Sequence, residues 1–137
     1  MNQHIYLRAY MAGIVVPTIF LLIVATVFTF VRYVYNVPVP VERVIVFPMA
    51  VVPNAWGLWN VLFVALRSRL QLSIGLYGAL LPILLAPLGI VAASLLNFSI
   101  PSFAAHAFPI LAPVALIVYY FAWKYLVCFL NRVQGIA

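Results

Sequence analysis

The chain has 137 residues, 69% of them hydrophobic and 6% charged, with a mean hydropathy of +1.25 and a formal net charge of +6. Soluble domains carry about 25% charged residues, so a water-soluble core is excluded. Four membrane spans with their turns would use the whole length and leave no room for a soluble catalytic domain. The seven basic residues stand singly at the ends of apolar runs rather than in one stripe, which argues against a nucleic-acid partner.

Between Arg8 and Arg32 lie 23 uncharged residues, nearly all apolar. A bilayer core about 30 Å thick needs about 20 such residues in a helix, so the first span is expected over roughly residues 9–32. A basic residue ahead of an apolar run is also a signal-peptide feature. This run exceeds an h-region and lacks a small-x-small cleavage site, so it reads as a retained span. Tyr33 to Val41 follows as an extended linker along the outer interface, because Pro38 and Pro40 disfavour helix at Val37 and Val39.

A second run of 23 uncharged residues, between Arg43 and Arg67, gives the second span, roughly 43–66. It carries the most distinctive polar content of the chain, Pro53-Asn54-Ala55-Trp56-Gly57-Leu58-Trp59-Asn60. An amide unpaired in hydrocarbon costs several kcal/mol, about 4–8 by alkane transfer. Asn54 and Asn60 are therefore expected to face the bundle or another subunit, with Trp56 and Trp59 buried beside them. The indoles, three residues apart, project to one broad side, and Ala55 and Gly57 allow close backbone approach. Two readings stand: the four residues are interhelical glue, or they form the wall of a ligand pocket. The structural reading is favoured, because intramembrane amides commonly join helices. The expected partners are carbonyls freed by Pro17, Pro82 or Pro87, the Thr18 hydroxyl, or a neighbouring protomer.

Arg67 to Gln71 permits only a tight turn. The remaining 54 uncharged residues, between Arg69 and Lys124, hold two spans, roughly 72–96 and 105–127, parted by the polar turn 97–102. Gly75, Gly78 and Ala79, then Gly89, Ala92 and Ala93, give the third span two small-residue faces suited to close helix contact. Cys128 reads as small buried packing, with palmitoylation as the lesser alternative. Prolines occur inside every span (Pro17; Pro48 and Pro53; Pro82 and Pro87; Pro109 and Pro113), so kinked helices are expected. The Pro-x4-Pro spacing shared by spans 2 and 3 is an inverted-repeat pattern, but one coincident spacing is more simply chance.

The whole chain thus reads as an all-α integral membrane protein, a single four-helix transmembrane bundle. Arg8, Arg67, Arg69, Lys124 and Arg132 share one side, against Arg32 and Arg43, offset by Glu42, on the other. The positive-inside bias therefore places both termini in the cytoplasm, as in a multi-pass bacterial inner-membrane protein. Tyr6, Tyr10, Tyr33, Tyr35, Trp123 and Tyr125 are assigned to the interfaces.

There is no Asp and only one Glu. No span therefore carries the ionisable group of an ion-coupled carrier. No carboxylate pair is present for acid–base catalysis, and there is no Mg²⁺ or Zn²⁺ ligand set. His4 and His106 fall at opposite faces, which rules out a bis-histidine haem within one protomer, and His106 reads as a solvated interfacial residue rather than a single axial ligand. No enzyme activity and no metal are expected, and no cofactor is specified. The leading function is a small non-catalytic membrane subunit that assembles with itself or with a larger complex in the bilayer. A passive transporter or channel for a neutral or anionic solute is the second reading. A module holding a quinone, carotenoid, pigment or lipid against Trp56 and Trp59 is the third.

Overall fold

The computed structural model describes residues 3–38, 49–97, 99 and 102–136, and every regular element among them is helical. Pro40, Glu42, Arg43 and Pro48, the opening of the expected second span, and Phe98, Ile100 and Pro101 of the later turn lie outside the described residues. The elements are α1 (Ile5–Val34), α2 (Ala50–Leu66), α3 (Ile74–Ala79), α4 (Leu81–Leu95) and α5 (Ser102–Phe121). A π-helical turn (Ala122–Val127) then runs into α6 (Cys128–Val133). Among the described residues, three continuous stretches are long and apolar enough to cross a membrane: Ile5–Val34, Ile74–Leu95 and Ser102–Val133. The chain is a membrane protein on that evidence. α2, with 17 residues, makes about 25 Å of helix and stands at the short limit for a span.

α1 and α2 run antiparallel and form the most extensive helix pair. Glycine makes this possible. A Cβ on Gly13 would sit 2.6 Å from the Trp56 carbonyl oxygen and 2.8 Å from the Gly57 Cα, so the backbones meet at a separation that any side chain would forbid. Pro17 lies inside α1, and its missing N–H deprives the Gly13 carbonyl of its usual donor.

Ser73 caps α3 by accepting the Leu76 N–H at 3.3 Å, which satisfies one donor of the first turn. The expected third span is two helices that meet at Leu80. Pro82 stands in the first turn of α4, where its missing N–H has no helical partner to lose. Gly75 and Gly78 both face the last helix: a Cβ would lie 2.9 Å from the Tyr120 ring at Gly75 and 2.0 Å from Trp123 Cγ at Gly78.

The last helix carries its π-turn where no proline stands, a feature that the sequence pattern does not signal. The Cys128 N–H reaches back to the Trp123 carbonyl, and Trp123 and Val127 are both fully buried. The helix then ends in a Schellman motif. The Gly135 N–H bonds to Arg132 O and the Ile136 N–H to Asn131 O, with Gly135 at φ +68°, the left-handed conformation that this motif requires.

Burial is uneven along the bundle. One end holds Ala9, Val64 and Ile136 and, a turn or two inward, Trp56, Tyr77, Leu81, Trp123 and Val127. At the opposite end α5 has no buried residue at all. Between α4 and α5 there lie two adjoining apolar clefts of about 500 and 560 Å³, which share Ala86, Ile90 and Phe108.

Candidate functional site

Asn60 is fully buried where α1, α2 and α6 meet. Its Nδ2 donates to the Ala9 carbonyl at 2.7 Å and to Asn131 Oδ1 at 2.8 Å, while Asn131 Nδ2 donates back to Asn60 Oδ1 at 3.1 Å. Both amide hydrogens of Asn60 are thus engaged. Asn131, 3% exposed, is the partner that sequence reasoning missed. It stands beside Arg132 at the end of the last helix and was not distinguished from an ordinary polar terminus. The one available signal was that asparagine in an apolar helix demands a mate.

The expected partners differ from the observed ones. Within the chain, Asn54 and Asn60 bond neither the Thr18 hydroxyl nor a carbonyl freed by Pro17, Pro82 or Pro87. The carbonyl that Asn60 uses, Ala9 O, lies one turn before the one released by Pro17, because the Gly13–Gly57 contact sets the register between α1 and α2. Asn54 departs further. It is exposed rather than buried, and its amide is satisfied locally, with Oδ1 accepting the Tyr10 hydroxyl and Nδ2 donating to its own helix at Ala50 O, 2.7 Å away. Hydrogen bonding satisfies the polar group here without burial.

The two indoles divide between two contacts. Trp59 is half-buried. Its Nε1 donates to the Tyr77 carbonyl at 3.0 Å, and its ring stacks on Tyr77 with centroids 4.7 Å apart. Trp56, 5% exposed, packs between Tyr119 and Trp123 at centroid distances of 5.0 and 5.4 Å. Trp123 was expected at the interface and instead fills the core, 0% exposed. Gly78 leaves the space for it, and the π-turn carries it. The Trp56 and Trp123 Nε1–H groups and the Tyr77 hydroxyl are buried without a hydrogen-bond partner among the described residues, and the Trp123 ring packs against those of Trp56 and Tyr77.

Arg8, Arg67, Asn131 and Ile136 complete this end. Arg8 Nη1 donates to Gln134 O at 2.9 Å, and Arg67 Nη1 donates to Ile136 O at 2.5 Å. Two residues read from the sequence only as markers of span ends and topology therefore hold the segment 134–136 against α1 and α2. Elsewhere the hydroxyls bond within their own helices: Thr26 to Leu22 O, Thr29 to Ala25 O and Ser94 to Ile90 O. His106 is exposed, its Nδ1 2.9 Å from Ser102 O. Among the described residues no three of His, Cys, Asp or Glu lie close enough together to hold a metal. The cluster contains neither carboxylate nor imidazole, so it offers hydrogen bonds and aromatic surface. Comparison of the chain with protein-family models, curated proteins and solved structures finds no match.

Proposed function

We propose that this chain is a small non-catalytic membrane subunit, a four-span bundle with both ends on the cytoplasmic side, that assembles with itself or with a larger membrane complex. The observation that carries this reading is the asymmetry of burial. Asn60 and Asn131 bond each other, and Trp56 and Trp59 pack on Tyr119, Trp123 and Tyr77 within the protomer, whereas α4 and α5 present a face with a floor of small residues, Ala86, Ala112 and Ala115. Small residues let another helix or its side chains approach closely in lipid. Extraction in mild detergent with light scattering is expected to give a species well above the 15.3 kDa protomer, which Ala112→Trp reduces to the protomer. A stable, monodisperse protomer overturns the reading.

One observation favours a second reading, an apolar ligand such as a quinone or carotenoid. The α4–α5 cleft, at about 500 Å³, falls within the roughly 300–1,000 Å³ of ligand pockets. Its site is then this cleft rather than Trp56 and Trp59. Absorbance and mass spectrometry of the purified protein test it, and an extract with no co-purifying chromophore or prenyl lipid counts against it. The transporter reading has less behind it, because Asn60 has no amide hydrogen left for a solute.

A further inference from the structure

The basic end of the bundle is electrostatically incomplete. Arg8, Arg67, Arg69, Lys124 and Arg132 all belong to it, and no acidic side chain occurs among the described residues, since the only one in the chain is Glu42. Lys124 rests over the Tyr120 and Tyr125 rings. Arg69 and Arg132 are exposed. The guanidinium groups of Arg8 and Arg67 bond carbonyls two residues apart in one tail, which places those carbonyls within about 7 Å of each other. Two like charges thus converge on neutral acceptors.

Beside them lies a cleft of about 300 Å³ between α2, α3 and α6. Phe63, Val64, Ile74 and Ile136 give it an apolar wall, and Arg67 and Asn131 stand at its polar edge with Cys128. Arg67 spends one N–H on Ile136 O, and its other donors have no protein partner among the described residues. A guanidinium fork matches the two free oxygens of a phosphodiester. A free inorganic anion has no use for the carbon wall, whereas a lipid places its headgroup on the arginine and the start of an acyl chain on the wall. Basic pockets between membrane helices recognise anionic headgroups in this manner.

We propose that this cleft binds one anionic phospholipid per protomer, its phosphodiester held by Arg67 and its acyl chain laid against Phe63, Val64 and Ile74. The site is independent of the assembly face on α4 and α5. To test it, the full chain in neutral detergent is titrated with phosphatidylglycerol, phosphatidylcholine and, separately, inorganic phosphate. Retained lipid is read by native mass spectrometry and stability by the thermal midpoint. One phosphatidylglycerol is expected to be retained per protomer, with phosphatidylcholine held about tenfold more weakly and inorganic phosphate giving no thermal shift. Arg67→Gln is expected to lose phosphatidylglycerol by a similar factor. Cys128→Phe, which fills the cleft and leaves every charge in place, is expected to lose it too, while Arg32→Gln retains it. Equal retention of the two lipids, an equal shift with inorganic phosphate, or unchanged lipid binding in Cys128→Phe overturns the proposal. Cys128→Phe decides the matter if Arg67→Gln does not fold.

Discussion

The two ends of this bundle are built from similarly apolar helices, yet one is closed and the other open. At the closed end, α1, α2 and the last helix share buried asparagines, and glycines bring the backbones together. At the open end α4 and α5 contain no asparagine or glutamine, and they leave apolar clefts between them. The difference shows what organises a helix bundle in lipid. A leucine gains little by leaving hydrocarbon for protein, so apolar surface alone does not draw helices together. Amides that need mates and backbones that can approach closely do. Closure therefore follows the paired amides and the tight contacts at Gly13, Gly57, Gly75 and Gly78 rather than the hydrophobicity.

That contrast predicts a gradient of mutational cost, measurable as unfolding free energy in detergent. The largest effect is expected at Gly78. Even Gly78→Ala must displace Trp123, whose Cγ lies 2.0 Å from the new Cβ, and Trp123 is enclosed on all sides. More than about 3 kcal/mol is expected, beyond the usual cost of overpacking. Asn60→Leu comes next, at about 1–3 kcal/mol, because Asn131 is left buried and unpaired. The double variant Asn60→Leu/Asn131→Leu is expected to recover part of that loss, and strict additivity would show that the reciprocal bond carries no coupling. Trp59→Phe removes one hydrogen bond to the Tyr77 carbonyl and should cost about 1 kcal/mol. Asn54→Leu, at an exposed site, is expected to stay within about 0.5 kcal/mol, as is Phe108→Ala at the open end. If Phe108→Ala matched Asn60→Leu in cost, the distinction between the two ends would collapse.

The class of the protein was legible because it rests on composition and run length, which are local properties of the chain. The three long spans follow from charge-free runs. Position 60 was legible as well, since an asparagine within a hydrophobic helix announces its own need for a partner. Which partner it takes was not. Asn131 lies 71 residues away, and the packing of Trp123 against Trp56 and Gly78 is what brings the last helix to α2. Trp123 was misplaced for a related reason. A tryptophan near a span end has the same local signature whether it faces headgroups or a cavity, and what decided its place was Gly78 on another helix. The π-turn left no trace in the pattern of apolar residues, and the roles of Arg8 and Arg67 depend on a tail that folds back by way of Gly135.

The pairing of Asn60 with Asn131 also has a consequence in time. At a synthesis rate of about 5–20 residues per second, Asn131 emerges roughly 4–14 s after Asn60. During that interval α1 and α2 can already lie together in the bilayer through their glycines, with Ala9 O as the only mate for the Asn60 amide. The half-made protein therefore carries an exposed polar flag inside the membrane, withdrawn only when the last helix docks. A chain arrested before Asn131 keeps that flag on display.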